Sequence, residues 1–267
     1  MKKILLIVLL TLCSSPVFSG VLVLVSVLPQ KSIVEYIGGD SVSVEVIVGY
    51  GISPENYQPT AKEIVGLAKA DLYVRTGLPF EEQLLPKLME VNPDLRILDM
   101  REGVNVIDDD PHIWTDPLKL VQHVYYLSSE LTDLSPELAE EFEQNYQAYL
   151  VLLGDLDREI WLEIGPMIQR KFLVYHPAWG YFASRYGLTQ LSVEQHGREP
   201  NARGMAQLID QVKAAEIKVI FVQPQHNVRS AGSFAETVDA AVEISDPLEE
   251  DLFASIKKMA KLLRDYN

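Results

Sequence analysis

One long stretch of helical periodicity, bounded by Ser135-Pro136 and Gly165-Pro166, limits what this chain can become. Ser135 followed by Pro136 is a helix-start signal, and Gly165-Pro166 is a stop. Between them Leu138, Phe142, Tyr149, Leu152, Leu156 and Ile160 recur at helical spacing. A helix over 135–164 spans about 40 Å at the usual rise per residue. On both sides of it, short apolar runs alternate with helical stretches. Strands are expected over 21–27, 42–48, 71–74 and 95–98, then over 172–175, 188–193, 218–222 and 242–244. Helices are expected over 60–69, 79–91, 179–186, 202–215, 230–240 and 249–266. A further helix opens at Asp116-Pro117 with Leu120, Val124, Leu127 and Leu131 on one stripe.

Continuous apolar strands alternating with helices imply parallel sheets covered on both faces. The expected fold is therefore α/β: two lobes, each a parallel sheet flanked by helices, joined by one long bridging α-helix. The division is a signal peptide at 1–19, an N-terminal lobe at 20–134, the bridge at 135–164 and a C-terminal lobe at 165–267.

The N-terminus carries the signal-peptide pattern. Lys2 and Lys3 precede a short apolar run over 4–12, and Val17 and Ser19 offer small residues for cleavage before Gly20. The run is too short for a stable membrane-spanning helix. An exported, periplasmic or otherwise extracytoplasmic protein follows. Cys13 is the only cysteine and lies inside the signal, so no disulfide or thiolate metal site is available to the mature chain. Leu12 precedes Cys13 where a lipidation signal wants a small residue, so no lipid anchor is expected. Loss of the two lysines takes the formal charge from −15 to −17, which excludes nucleic acid as a partner.

Four residues stand in loops or just past expected strand ends, where open α/β sheets bind ligands. Glu55 follows the second strand. His112 precedes the helix opened by Asp116. His176 follows the strand ending at Tyr175, and Asp246 follows the strand ending at Ile244. Two imidazoles and two carboxylates suit zinc, manganese or iron. Spacing alone is a weak argument, because no pair is close in sequence. A hydrogen-bonded core histidine, a solvated loop carboxylate and a helix N-terminal Asp are the ordinary roles of such residues.

The surrounding segments add to this. Gly51-Ile52-Ser53-Pro54-Glu55-Asn56-Tyr57-Gln58-Pro59, Asp110-Pro111-His112-Ile113-Trp114-Thr115-Asp116-Pro117, Tyr175-His176-Pro177-Ala178-Trp179-Gly180-Tyr181-Phe182 and Ser245-Asp246-Pro247-Leu248 occur in that order. Glu199-Pro200 and Phe221-Val222-Gln223-Pro224-Gln225 lie between the last two. Together they resemble the solute-binding proteins of zinc and manganese ABC importers over nearly the whole mature chain. The resemblance implies His112, His176 and Asp246 as metal ligands. Glu55 stands where that family usually has His, and a carboxylate there still ligates.

By the same resemblance, three histidines go with zinc, and two histidines with two carboxylates go with manganese or iron. However, the manganese-type carboxylate usually replaces the third-motif histidine, which is His176 here. Intrinsic affinity also favours zinc over manganese. The expected function is capture of zinc, with manganese or iron as the alternative, and delivery to an ABC importer by a monomer. The bound ion is cargo, and no catalytic cofactor is expected. A zinc hydrolase with Glu55 as base is the remote alternative, and the chain lacks His-Glu-x-x-His. Asp108, Asp109 and Asp110 read as a solvated turn. His123, His196 and His226 are assigned helix-edge, loop and surface-or-core roles, with the cleft wall as the alternative for His196 and His226.

Overall fold

A computed structural model of the chain describes residues 20–267 apart from 195–197, 199 and 227. The expected signal peptide with Cys13, and residues His196 and Glu199, lie outside the described residues. The first sheet takes β1 (Val21–Val27), β2 (Val42–Val48), β3 (Leu72–Arg75) and β4 (Arg96–Asp99) in the order β2-β1-β3-β4. The second takes β5 (Lys171–Val174), β6 (Thr189–Ser192), β7 (Val219–Val222) and β8 (Ala241–Ile244) in the order β6-β5-β7-β8. All pairings are parallel, with Val23 opposite Val44 and Leu72, and Leu173 opposite Leu191 and Ile220. The central strands β3 and β7 are buried throughout, as helices on both faces require, whereas edge strand β8 is only half covered.

Nine helices of α type lie among the described residues. In the first lobe they are α1 (Leu28–Gly38), α2 (Ala61–Leu67), α3 (Glu81–Val91) and α4 (Pro117–Leu134). The bridge is α5 (Ala139–Ile164). The second lobe holds α6 (Gly180–Arg185), α7 (Ala202–Ala214), α8 (Val228–Val238) and α9 (Leu252–Asp265). Periodicity does not reveal α1, because Pro29 reads as the end of a strand. Pro29 instead sits in the first turn of the helix, where a missing N–H costs nothing. The Gln30 side chain accepts from Ser26 N and Val27 N at 2.9 and 3.0 Å and donates to Val74 O at 3.1 Å, tying the start of α1 to β1 and β3.

The bridge differs from expectation in two details. Ser135 makes no side-chain cap, and residues Pro136–Leu138 form a short 3₁₀ turn before α5 begins. Leu152 is 38% exposed, and Leu153 takes the buried place between Tyr149 and Leu156. His123 also departs from its helix-edge role: it is buried on the α4 stripe, neither ring nitrogen has a hydrogen-bond partner among the described residues, and burial pulls its pKa down to about 3.

The bridge packs against α1 and α4 on the first lobe and against α9 on the second. One hydrophobic core consequently runs from Val23 and Leu72, through Leu153 and Ile160, to Phe172, Trp179 and Met259. A second, smaller core lies on the other face of the second sheet, where Leu173 and Ile220 meet Val212 and Phe234.

Candidate metal centre

Glu55 rides on a 3₁₀ turn, Pro54–Asn56, beyond the carboxyl end of β2. Gly51 reverses the chain before it at φ 77°, a conformation that L side chains rarely adopt. Past β4, Asp108 and Asp109 take the left-handed conformation, φ 47° and 58°, and turn the chain toward His112. Asp110 does more than solvate that turn. Its Oδ1 accepts from the His112 backbone N at 2.9 Å and lies 2.6 Å from His112 Nδ1. A carboxylate on Nδ1 fixes the ring and leaves Nε2 as the free ligand atom. The Trp114 indole packs edgewise on the same ring, with centroids 5.2 Å apart.

His176 directly follows Tyr175 at the end of β5 and is 4% exposed. Its Nε2 lies 2.9 Å from Glu55 Oε1, and its Nδ1 lies 3.2 Å from Glu194 Oε2. The His112 and His176 rings meet at a centroid distance of 5.6 Å. Glu55 and His112 from the first lobe and His176 from the second thus converge at one point. Glu55 also lines a cavity of about 160 Å³ with Tyr57, Pro79 and Phe80.

Asp246 is placed otherwise. It follows β8 and is buried, and its Oδ1 accepts from Leu248 N at 2.9 Å. The Gln225 side-chain amide donates to both carboxylate oxygens, at 3.1 and 3.0 Å. Among the described residues the hydrogen-bond partners of its carboxylate are these, not an imidazole. The loop is nevertheless held against the first lobe, because Trp114 Nε1 donates to Pro247 O at 2.8 Å. Tyr181 makes a similar link, donating to Asp110 O at 3.0 Å and accepting from Ile107 N at 3.1 Å.

Two residues at this point were not assigned to it from the sequence. Glu194 lies just past β6, and its backbone N donates to Tyr175 O at 2.8 Å, which sets it beside His176. His226 lies in the turn after β7. Its ring stacks on His176 with centroids 4.5 Å apart and planes 19° apart, and its Nδ1 is 3.4 Å from Glu194 Oε2. The surface-or-core role expected for His226 is therefore corrected: β5 and β7 are neighbours in the sheet, so residues past their ends meet. The rule that picks out His176 and Asp246, a ligand-type residue beyond a strand's carboxyl end, also picks out Glu194.

The electrostatics follow from these contacts. Burial pushes the His176 pKa down, but hydrogen bonds to Glu194 and Glu55 outweigh it and raise the pKa to about 9. Burial pushes the Glu194 carboxyl up, and its contacts with His176 and His226 bring it down to about 2. Glu55 is likewise pushed up by burial and held below its ordinary value by the His176 bond and the nearby histidines. Burial raises the Asp246 pKa, against the Leu248 and Gln225 hydrogen bonds. Imidazole nitrogen and carboxylate oxygen together are a donor set for zinc, manganese or iron(II).

Comparison with known proteins agrees with this chemistry. A family profile described as zinc-uptake complex component A, periplasmic, matches residues 23–265. The zinc-binding lipoprotein AdcA of Streptococcus pneumoniae is 25% identical over 244 residues, 83% of this chain and 48% of that protein, so the chain spans about half the length of that relative. The manganese-binding lipoprotein MntA of Halalkalibacterium halodurans is 28% identical over 233 residues, 82% of this chain and 75% of that protein. A crystal structure of a ZnuA deletion mutant with zinc bound superposes with a TM-score of 0.89 at 34% identity, covering 93% of this chain and 98% of the other. Two of these relatives are named lipoproteins, so they lend no support to the expected absence of a lipid anchor. Cys13 itself lies outside the described residues.

Proposed function

Because the chain belongs to the periplasmic zinc-uptake component A family, whose members are metal-binding parts of ABC importers rather than enzymes, we propose that it captures zinc between its lobes and hands it to a membrane permease. The observation that carries this reading is the 2.9 Å approach of His176 Nε2 to Glu55 Oε1, with His112 alongside. In this reading the lobes at 20–134 and 165–267 supply ligands from either side of the bridge at 135–164, and the protein acts as an exported monomer. Glu55, His112, His176 and Asp246 hold the ion. An ionised carboxylate accepts at about four sites. Three hydrogen bonds already engage Asp246, which leaves one lone pair for a metal.

A second reading, manganese or iron as cargo, has its own support in Glu55, which gives the set two nitrogens and two oxygens. Competitive titration of the metal-free mature protein with zinc and manganese decides between them. Tighter zinc is expected, with a loss of affinity in Glu55→Ala. Tighter manganese overturns the zinc reading, and an unchanged Glu55→Ala removes that residue from the ligand set.

A further inference from the structure

The second sheet sends three side chains to a single point beyond its strand ends. His176 leaves β5, Glu194 leaves β6 and His226 leaves β7. In the order β6-β5-β7-β8 the chain runs outward from β5 to one side and from β7 to the other. The crevice between β5 and β7 is thus the switch point of the sheet, where open α/β folds take ligands. His176 and His226 face each other across it as stacked rings. Their Nδ1 atoms lie 3.2 and 3.4 Å from the same oxygen, Glu194 Oε2.

From this geometry, and on the reading above that His176 binds metal, we infer a second position for a zinc-type divalent ion, formed by His176 Nδ1, Glu194 and His226 Nδ1. One ligand atom from each of the three residues lies within 4.8 Å of the others. Metal–ligand bonds of about 2.0–2.1 Å in tetrahedral geometry separate the ligand atoms by roughly 3.3–3.4 Å. The two nitrogen–oxygen distances match that separation; because the lone pairs lie in the ring planes, which stack 19° from parallel, one ring turns about its Cβ–Cγ bond to aim both at a single ion. This position lies wholly in the C-terminal lobe, while the lobe-spanning position uses the opposite face of the same imidazole, where Nε2 meets Glu55. A neutral imidazole offers one lone pair at a time. The two positions therefore exclude each other and the protein carries one ion; for His176 to pass it from Nε2 to Nδ1, the Nδ1 proton leaves through Glu194 to solvent and Nε2 takes a proton from solvent through Glu55. The lone position needs nothing from the first lobe, so it serves as a station for metal before or after the lobe-spanning ligands engage.

The competing account is that Glu194 only orients His176 by accepting from Nδ1, and that His226 is packing. The test uses the full mature chain and zinc in competition with a chromophoric chelator. Wild type is compared with Glu55→Ala/His112→Ala, which strips the first-lobe ligands, and with the same background carrying His226→Ala, His226→Phe or Glu194→Gln. Circular dichroism confirms that each variant folds. Wild type and the double variant are expected to bind one zinc each, the double variant more weakly, and each added change is expected to weaken it by at least tenfold. His226→Phe keeps a ring on His176 without the nitrogen, so binding retained in that variant overturns the proposal. A double variant that binds no zinc while wild type does also overturns it and leaves the lobe-spanning reading standing. Wild type without zinc affinity sinks both.

Discussion

Trp114→Phe cuts one of the links between the two lobes beside the candidate metal centre. Trp114 is fully buried, and its indole N–H reaches Pro247 O at 2.8 Å. Phenylalanine fills most of the space but cannot donate. The carbonyl left without its partner costs about 1–3 kcal/mol. The lost ring volume, roughly 40 Å³ at ~24 cal/mol per Å³, adds about 1 kcal/mol where the site cannot collapse. A destabilisation of about 2–4 kcal/mol follows, or about 4–8 °C in Tm at ~2 °C per kcal/mol for a chain of this size. Differential scanning calorimetry of the metal-free protein reads it. Trp161→Phe is the control, because Trp161 is 43% exposed and its change is expected to stay within about 0.5 kcal/mol. Equal Tm values for the two variants refute the reasoning: the Pro247 carbonyl would then be satisfied without the indole, and the inter-lobe bond would contribute nothing.

Other consequences are open to measurement. The buried Glu81 carboxylate accepts from Ser26 Oγ, Arg75 Nε, Thr76 N and Gly77 N, so Glu81→Ala strands two backbone donors while Arg75 keeps Glu82 and Asp99. With two buried donors unpaired at about 1–3 kcal/mol each, a loss of about 2–6 kcal/mol in urea unfolding is expected, and one below about 1 kcal/mol contradicts the network. The metal-free protein and the metal complex respond to pH in opposite senses. His176, raised from 6.5 to about 9, adds stability that is complete below pH 6.5 and lost as pH rises through 9. Glu194, lowered from 4.5 to about 2, adds stability present above pH 4.5 and lost as pH falls toward 2. Relative to His176→Gln, metal-free wild type is therefore most favoured between pH 4.5 and 6.5. With His176 as a ligand, zinc affinity is instead expected to rise from pH 6.5 to 9, because binding requires the neutral imidazole. Titrations at the two pH values that give equal zinc affinity remove His176 from the ligands.

Much of the architecture is legible in the chain because parallel strands buried on both faces leave continuous apolar runs, as in residues 21–27 and 219–222. What escapes is whatever depends on the order of those strands. Nothing local at Glu194 or His226 announces that β6 and β7 flank β5, so their meeting at His176 appears only in three dimensions. Asp110 is hidden for a different reason. In sequence it is one of three aspartates in a turn, and only the contact with His112 separates it from its solvated neighbours. Asp246 shows the converse: its position past β8 is evident from the chain, but its pairing with Gln225 is not. The shift from Leu152 to Leu153 reflects the 3.6-residue turn, since a buried stripe through Tyr149, Leu153, Leu156 and Ile160 keeps one face toward the core.

On the proposed reading of a metal carrier, the unbroken core beneath α5 and α9 bears on how the ion leaves. Swinging the halves apart like a hinged shell would wet part of the core that Val23, Leu153, Phe172 and Met259 share. Each 400 Å² of apolar surface exposed costs about 10 kcal/mol, comparable to the ~12 kcal/mol that a nanomolar ligand contributes on binding. On that reading a spine of that stiffness directs unloading to the rim. The turn bearing Glu55 and the segment from Met100 to His112 sit outside the strands and α-helices. They are the parts whose displacement would open a way out while the framework stays shut.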